Sequence, residues 1–475
     1  MYFKRIYEEG LAQASYVVGC QAKGIAMVID PKRDIDTYLE IAEKEDLKIT
    51  HIAETHIHAD FLSGSRELAA ATDAEILVSD AGDADWQYQF EHTGLNDGDV
   101  FNIGNIKVEV IHTPGHTPEH ISFLVTDTPA GDHPNMIFTG DFVFVGDVGR
   151  PDLLEEAAGI QGTKESSARD MFDSLKKFKA LPDHVQVWPA HGAGSACGKA
   201  LGAVPGSTVG YEKLVNWALQ IEDEDEFVEA LLAGQPEPPK YFAMMKKLNK
   251  EGAPVLGSIP HPARLTLPQF ERKLDNGQLL VDTRDKLSFA GGHIPGSINI
   301  QDNGSFSTWA GWTLDYDEPF VLVAEDDRIE ELTRKLIRIG LDNIDGYLPG
   351  LETWSRTGNE LEIGDQITAE NLREAIDRDE IHVIDVRQQS EYDEAHIPTA
   401  HKIHAGQISD HLDEVPKHKS VALYCEGGDR SSVATSYLMS EGFHNVKNLT
   451  GGIRAWCEAG FPVERGEKKA ATEKK

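Results

Sequence analysis

Cysteine is scarce in this sequence, at four residues in 475. So few cysteines cannot form a disulfide framework, and each is predicted to be a free thiol. Positive charge is also in short supply, because 45 Lys and Arg stand against 80 Asp and Glu, giving a net charge of -35. Since the phosphates of a nucleic acid would be repelled, a nucleic-acid partner is not expected. Long apolar runs are missing as well, which predicts no membrane span, no signal peptide and a cytoplasmic protein.

The most informative stretch is Thr-His-Ile-His-Ala-Asp, which follows an apolar run and contains His56, His58 and Asp60. Two histidines separated by one residue, with a carboxylate two residues further on, place three metal-capable side chains on one short turn. Such histidines could also be surface residues. Three further side chains argue for a metal site, since each lies on a loop just after a strand-like run: His116, Asp141 and His191.

Taken in order, THxHxD, the His of TPGHT, the Asp of FTGD and the His of PAHG resemble the ligand set of the metallo-beta-lactamase superfamily. Its thioester hydrolases of the glyoxalase II type read HxHxDH and hold two metals. This chain has Phe61 in place of the last His. A second metal would therefore keep only Asp60 and His191 besides the bridging Asp141.

What remains resembles the persulfide dioxygenase branch, whose members hold one iron. The resemblance implies one Fe(II) per chain, bound by His56, His116 and Asp141. Two histidines and one carboxylate leave the opposite positions open, as non-heme Fe(II) oxygenases require. Three further side chains would orient these ligands and tune the iron: His58, Asp60 and His191. Zinc or manganese in a hydrolase is the competing assignment, because several metals share these ligands.

The stretch Gly-Asp-Val-Gly-Arg-Pro-Asp-Leu is similar to the GRxDF stretch of the persulfide dioxygenases, which implies that Arg150 and Asp152 bind the thiol substrate. Arg150 could instead bridge carboxylates within its domain. Cys197 lies in a glycine-rich turn near the expected metal site, where it either relays sulfur or is a small packed residue. Cys20 is expected to be structural in a turn, and Cys457, directly after Trp456 on a predicted helix, is expected to be a packing residue.

The second half of the chain contains an internal repeat. Val-Asp-Thr-Arg284 recurs as Ile-Asp-Val-Arg387, at an offset of about 103 residues, and a His-Ile-Pro stretch recurs with it. Both copies resemble rhodanese. In the first copy, the offset that aligns Arg328 with Arg430 puts Val323 at the position of the catalytic cysteine. The first copy is therefore predicted to be inactive and to serve as a spacer or docking platform.

In the second copy an apolar strand leads into the loop from Cys425 to Arg430, which opens a helix. Backbone amides and a helix N-terminus would converge on Cys425, an arrangement that favours the thiolate and stabilises a persulfide. Arg430 would close this loop, and its other members are Glu426, Gly427, Gly428 and Asp429. Cysteine phosphatases have one residue more between Cys and Arg, so the shorter loop favours sulfur transfer. A buried, inert cysteine is the alternative.

These observations predict an α/β multidomain chain, an αββα metallo-beta-lactamase sandwich plus two α/β rhodanese domains. The predicted segments are a dioxygenase domain 1–235, a connector 236–262 with a short basic helix, an inactive rhodanese 263–360, an active rhodanese 365–465 and a charged tail 466–475.

The resemblance implies an enzyme of sulfide detoxification that oxidises small-molecule thiol persulfides with dioxygen to thiol and sulfite. Its rhodanese would then transfer sulfur to sulfite and release thiosulfate. The alternative is a glyoxalase II-type thioester hydrolase fused to a sulfurtransferase, whereas a non-enzymatic scaffold would fit only the middle domain. The thiol carrier and the oligomeric state, a homo-oligomer included, are left open.

Overall fold

The computed structural model describes residues 1–153, 162–199 and 201–466. The chain divides into two compact units, Met1–Ile259 with Ile337–Gly340 and Pro260–Leu336 with Leu341–Lys475. Apart from Gly466, the predicted charged tail lies outside the described residues. Among the helices of the described part, none is long and apolar enough to cross a membrane.

The first unit contains two six-stranded sheets, with the strand orders β1-β2-β3-β4-β5-β6 and β12-β11-β10-β9-β8-β7. The strands are β1 (Tyr2–Glu8), β2 (Gln13–Cys20), β3 (Ile25–Ile29), β4 (Lys48–Ala53), β5 (Glu75–Ser79), β6 (Thr93–Leu95), β7 (Val100–Ile103), β8 (Ile106–His112), β9 (Ile121–Asp127), β10 (Met136–Gly140), β11 (Gln186–Pro189) and β12 (Ser207–Thr208). The helices are α1 (Asp36–Lys44), α2 (Ser65–Thr72), α3 (Lys164–Lys179), α4 (Val209–Val215), α5 (Trp217–Gln220), α6 (Glu224–Leu232) and α7 (Tyr241–Glu251), with a 3-10 helix at Ala84–Trp86.

Alternation along the central strands explains the layers of this unit. Tyr16 and Val18 of β2 pack between the two sheets, whereas Val17 packs with the residues of α1 and α2. In the other sheet, Phe123 of β9 faces the space between the sheets and Leu124 packs with α3. Successive residues of a strand point to opposite faces, so each sheet is covered on one face by the other sheet and on the other by helices. The predicted αββα sandwich is confirmed.

The second unit contains two parallel sheets, one for each copy of the repeat, with the strand orders β14-β13-β15-β16 and β17-β21-β20-β18-β19. The strands are β13 (Leu279–Asp282), β14 (Ile298–Asn299), β15 (Phe320–Val323), β16 (Ile344–Leu348), β17 (Gln366–Ile367), β18 (Ile381–Asp385), β19 (His401–Lys402), β20 (Ser420–Tyr424) and β21 (Val446–Leu449). The helices are α8 (Leu267–Asp275), α9 (Lys286–Gly291), α10 (Phe306–Thr313), α11 (Ile329–Ile337), α12 (Glu352–Arg356), α13 (Ala369–Asp377), α14 (Gln389–Glu394), α15 (Asp429–Ser440) and α16 (Gly452–Glu458), with a 3-10 helix at Ala405–Glu414.

The repeated Asp-x-Arg motif has the same structure in both copies. Arg284 donates a hydrogen bond to Asp282 at 2.5 Å, and Arg387 donates one to Asp385 at 2.7 Å. Each pair lies at the end of the strand that carries its aspartate. The two copies therefore share both the sequence motif and the Arg–Asp ion pair at the end of this strand.

Strand register shows which residues of the two copies correspond. Asp282 of β13 pairs with Val323 in the first copy, and Asp385 of β18 pairs with Tyr424 in the second. Because the two aspartates belong to the same repeated motif, Val323 is the counterpart of Tyr424. The prediction that Val323 occupies the position of the catalytic cysteine is therefore wrong by one residue.

Ala324 stands where the second copy has Cys425. The alignment failed because it was fixed on Arg328 and Arg430, and the loop of the first copy is one residue shorter. Arg328 donates to Asp302 at 2.7 Å instead of closing a loop around a cysteine. Alanine has no nucleophilic atom, so the first copy lacks a nucleophile at this position as predicted.

All four cysteines are free thiols, as predicted. Cys20 lies at the buried end of β2 rather than in a turn. Cys457 on α16 is exposed, so its expected role in packing is wrong. A helix with one buried face leaves its other face in solvent, and Cys457 follows the buried Trp456 directly, one position round the helix.

Helix α7 lies within the predicted connector, after its prolines, and spans Tyr241–Glu251. The amide nitrogen of Asn249 donates hydrogen bonds to the carbonyls of His58 and Phe61, both at 2.8 Å. Its amide oxygen accepts the backbone N–H of Ser63 at 2.9 Å. The connector helix thus holds the backbone of the loop that carries the paired histidines.

Candidate metal centre and sulfur-transfer loop

Loops at the ends of the strands in the first unit bring the predicted metal ligands together. His56 follows β4, Asp141 follows β10, and His116 lies between β8 and β9. Each of the three side chains is at most 2% exposed. Strands fixed in a packed sheet hold such loops in place, so the three side chains keep a defined mutual geometry.

The potential ligand atoms of His56, His116 and Asp141 all lie within 4.8 Å of one another. The Nε2 atoms of His56 and His116 are 3.9 and 3.4 Å from Oδ2 of Asp141. Nε2 of His56 and both carboxylate oxygens of Asp141 are buried and have no hydrogen-bond partner within the described residues. Unpaired buried polar atoms are costly, and a cation between these three groups would satisfy them. The donor set therefore fits a metal ion with two imidazole ligands and one carboxylate ligand.

The other ring nitrogen of each histidine is already engaged. Nδ1 of His116 donates to the carbonyl of Arg150 at 2.8 Å, and Nδ1 of His56 lies 2.9 Å from the hydroxyl of Thr55. Such contacts orient a ligating imidazole and leave Nε2 for the metal. Burial lowers the pKa of both histidines, and repulsion from neighbouring histidines lowers that of His56 further. Both rings are thus held in the neutral form that binds a metal.

His58 faces away from this group. Its Nε2 lies 3.1 Å from Oδ1 of Asp30 and 3.8 Å from Oε2 of Glu54. Burial alone would lower the pKa of His58, but the carboxylate of Asp30 outweighs burial and raises it to about 9. His58 is therefore paired with Asp30 through Nε2, and it is not part of the group formed by His56, His116 and Asp141.

Sequence reasoning missed Asp30, which organises the loop of the paired histidines. Besides His58, it accepts hydrogen bonds from the backbone N–H and the hydroxyl of Thr55 at 2.8 and 3.0 Å. Asp30 has a φ of 50°, a left-handed conformation that is uncommon for residues other than glycine. The available signal was Asp30-Pro31 at the end of β3, which indicated only that the strand ends.

His120 and Gly140 position Asp141 and were also missed. The backbone N–H of Asp141 donates to Nε2 of His120 at 3.1 Å. Gly140 has a φ of 51°, and a Cβ atom there would lie 2.5 Å from the hydroxyl oxygen of Thr55. The Thr-Gly-Asp turn consequently requires glycine before the ligand.

A second group of potential ligands lies beside the first and consists of Asp60, His191 and Cys197, whose ligand atoms are within 4.8 Å of one another. Nε2 of His191 is 3.2 Å from Oδ2 of Asp60 and 3.4 Å from Oδ1 of Asp141. Burial, followed by the carboxylates of Asp141 and Asp60, raises the pKa of Cys197 well above its usual value. The sequence motifs predicted only Asp60 and His191 besides Asp141 for a second metal, and the fold adds the thiol of Cys197 to them.

Arg150 and Asp152 form a bidentate ion pair, with N–O distances of 2.8 and 2.6 Å. The Arg150 side chain is 1% exposed and also donates to the carbonyl of Ala196 at 3.1 Å, directly before Cys197. Arg150 thus links the carboxylate of Asp152 to the turn that carries Cys197. This contact agrees with the structural alternative, in which Arg150 bridges groups within its own domain. Binding of the thiol substrate by Arg150 and Asp152 stays a prediction.

The loop of the second repeat surrounds the sulfur of Cys425. The backbone N–H of Gly428 donates to Sγ at 3.1 Å, and the hydroxyl of Ser431 lies 3.5 Å from it. Gly428 has a φ of 99°, so a side chain at this position would strain the loop. The hydroxyl of Ser431 in turn donates to the side chain of Asn448 at 2.7 Å. This loop presents hydrogen-bond donors to a sulfur anion or persulfide at Cys425.

Arg430 closes the loop through Glu391 on α14. Its guanidinium donates two hydrogen bonds to the carboxylate, at 2.6 and 2.7 Å. Burial would raise the pKa of Glu391, but Arg430 outweighs it and the pKa is lowered. The pair is therefore ionised and fixes Arg430 beside the loop, and a role of Arg430 in sulfur transfer stays a prediction.

Known protein families match both the first half and the second half of the chain. The family model of the metallo-beta-lactamase superfamily matches residues 9–191, and that of the rhodanese-like domain matches residues 266–357 and 368–459. A crystal structure described as a metallo-beta-lactamase from Staphylococcus aureus subsp. aureus COL is 46% identical, with a TM-score of 0.69, and the match covers 73% of this chain and 99% of that one.

Two hydroxyacylglutathione hydrolases are similar to part of this chain. The enzyme of Hyphomonas neptunium is 31% identical over 47% of this chain and 79% of its own length. The enzyme of Rhodospirillum rubrum is 38% identical over 37% of this chain and 60% of its own length. This chain therefore spans less than two thirds of the Rhodospirillum enzyme.

Substitution of single histidines separates ligands from supporting residues. We expect His116→Gln to lose the metal, because one of three ligands is removed, and His58→Gln to retain it with lower affinity, because His58 supports the ligand loop through Asp30. Elemental analysis of each purified variant measures this. Retention by His116→Gln together with loss from His58→Gln would contradict the assignment of ligands.

Removal of the Asp30 carboxylate tests whether it supports the metal site. We expect Asp30→Asn to weaken metal binding about 10- to 100-fold, the usual effect of removing a partner of a metal-site residue. Titration against a chelator of known affinity measures the change. Asp80→Asn is the matched control, because Asp80 is also near a histidine, His92 at 3.5 Å, but its side chain is 53% exposed. Equal affinities of the two variants would argue against a role of Asp30.

Proposed function

This chain belongs to the metallo-beta-lactamase superfamily and carries two rhodanese-like domains, and we propose that it is a persulfide dioxygenase coupled to a sulfurtransferase. Both kinds of domain support an enzyme. The observation that carries the proposal is the group of His56, His116 and Asp141, from which His58 is withdrawn by Asp30. Two histidines and one carboxylate are the ligands of the non-heme Fe(II) oxygenases.

In the proposed reaction at the metal centre, RSSH, dioxygen and water give RSH and sulfurous acid, which ionises to sulfite. Iron held by the three ligands supplies the redox chemistry by which dioxygen oxidises the terminal sulfur. The protein supplies a buried site in which the His56 and His116 rings are neutral and lie beside the carboxylate of Asp141 before the substrate binds. His58 and Asp30 keep the ligand loop in place, and Asn249 holds its backbone carbonyls. We propose a small-molecule thiol persulfide as the substrate and one Fe(II) per chain.

Sulfur transfer is proposed to occur at Cys425. The Cys425 thiolate attacks the terminal sulfur of a persulfide, forms a new S–S bond and releases the thiol as RS⁻. Sulfite then attacks the terminal sulfur of the Cys425 persulfide and leaves as thiosulfate, which regenerates the Cys425 thiolate. The Gly428 N–H stabilises the sulfur anion at both stages. The two sites are complementary, because sulfite made at the metal centre is the acceptor at the loop.

A thioester hydrolase with two metals is the second candidate. The group of Asp60, His191 and Cys197 beside the first site favours it, since together they could bind a further cation. Similarity to hydroxyacylglutathione hydrolases is a further argument for this candidate. Hydrolysis of S-lactoylglutathione by protein with two zinc ions per chain would favour this function over the dioxygenase.

Replacement of Cys425 tests the coupling of the two reactions. We expect Cys425→Ser to consume oxygen at the wild-type rate and accumulate sulfite instead of thiosulfate, because the metal centre is unchanged and the sulfur carrier is removed. Oxygen uptake and both products are measured with glutathione persulfide, after subtraction of the rates without enzyme. Cys457→Ser, at the exposed cysteine, is the control and should release thiosulfate like the wild type. Undiminished thiosulfate from Cys425→Ser would refute the coupling.

A further inference from the structure

A lysine of the first rhodanese copy contacts the catalytic loop of the second. The ammonium group of Lys286, at the start of α9, donates to the carbonyl of Gly427 at 2.8 Å and to Oδ1 of Asp429 at 2.9 Å. Both acceptors lie between Cys425 and Arg430 in the chain. The copy that lacks a nucleophile therefore contributes a cation to the loop of the copy that has one.

The peptide unit between Gly427 and Gly428 connects this lysine to the sulfur. Its carbonyl accepts from Lys286, and its N–H donates to Sγ of Cys425 at 3.1 Å. The described part of the chain has no cis peptide bond, and in a planar trans peptide the C=O and N–H point in opposite directions. Fixing the carbonyl on Lys286 thus aims the N–H at Cys425. A cation on the carbonyl also polarises the peptide and strengthens its N–H as a donor.

Local sterics do not fix the orientation of this peptide unit, because it lies between two glycines. Glycine adopts positive and negative φ about equally readily, so the unit could rotate at little cost. The following peptide is held within the second copy, since Asn448 donates to the carbonyl of Gly428 at 3.0 Å. Lys286 provides the corresponding restraint for the peptide whose N–H reaches the sulfur.

Buried hydrogen bonds also join the two rhodanese copies near the contact between Lys286 and the loop. Ser432 on α15 donates to the side chain of Asn299 at 2.7 Å, and the backbone N–H of Asn299 donates to the hydroxyl of Ser436 at 2.8 Å. Asn299 and Ser436 are both fully buried. The first copy therefore holds the first two turns of α15, the helix that begins at Asp429. This contact gives Lys286 a defined position relative to the loop.

We propose that Lys286 is a positioning residue for sulfur transfer at Cys425, and that the first rhodanese copy is retained because it completes the catalytic loop of the second. The inference rests on the proposed sulfurtransferase function. It assigns the first copy a direct part in the active site, in place of the predicted role as a spacer or docking platform.

The test compares two lysines in the full-length protein. Lys286→Met removes the cation at the loop. Lys447→Met is the matched control, because Lys447 pairs with Asp365 and the side chains of that pair are 29% and 56% exposed, against 26% and 52% for Lys286 and Asp429. Lys286→Arg keeps a cation at the position and tests whether charge restores function.

The first readout is sulfur transfer from thiosulfate to cyanide. We expect kcat to fall about tenfold in Lys286→Met, because one charge-assisted hydrogen bond that orients the loop is lost. Lys286→Arg should recover most of this loss, and Lys447→Met should equal the wild type. Oxygen uptake by the metal domain should be the same in all four proteins, which shows that the chain is folded.

The second readout is the rate at which iodoacetamide alkylates Cys425, measured by mass spectrometry of its peptide at fixed pH. We expect slower alkylation in Lys286→Met than in Lys447→Met. Equal alkylation and equal turnover in these two variants would overturn the role of Lys286. Absence of sulfur transfer in the wild type, together with a difference in alkylation, would instead refute the sulfurtransferase function and leave the positioning role intact.

Discussion

The ion pair between Asp30 and His58 is the interaction on which the metal site depends. In a cluster of buried histidines each ring could be a ligand, and here the rings differ in the carboxylates that they contact. Asp30 engages His58 on its Nε2 and raises its pKa to about 9, whereas burial keeps His56 and His116 neutral. One carboxylate outside the metal motifs thereby engages His58, while Nε2 of His56 and of His116 lie beside Asp141.

A second constraint acts in the rhodanese pair. A loop that turns the N–H of Gly428 onto the sulfur of Cys425 needs glycine there, because a φ of 99° is strained for any other residue. The same freedom leaves the loop without a preferred orientation, so contacts from outside must supply it. Asn448 supplies one from within the copy, and Lys286 supplies another from the neighbouring copy. A duplicated domain that has lost its nucleophile can therefore still be part of an active site.

Much of the fold and of the candidate site could be predicted from the sequence. Alternating apolar residues and the recurring motifs are local signals, and they predicted layered sheets and helices and the repeat. The αββα sandwich and the group of His56, His116 and Asp141 were implied by the resemblance of the ordered motifs to the metallo-beta-lactamase superfamily. Asp30 and Asn249 were missed because they reach the metal loop only through the tertiary fold, from a strand end and from the connector helix. The alignment of Val323 with the cysteine was wrong because it assumed loops of equal length before Arg328 and Arg430. The strand register shows that the loop of the first copy is one residue shorter.

The metal domain and the rhodanese pair carry out one proposed sequence of reactions. Sulfite made at the metal centre is the sulfur acceptor at Cys425. This account depends on the metal being a single redox-active iron. The most direct test is the metal content of anaerobically purified protein, measured with oxygen uptake by the same sample when glutathione persulfide is added. The account predicts about one iron per chain and prompt oxygen consumption. Two zinc ions per chain, no oxygen uptake and hydrolysis of a glutathione thioester would contradict it.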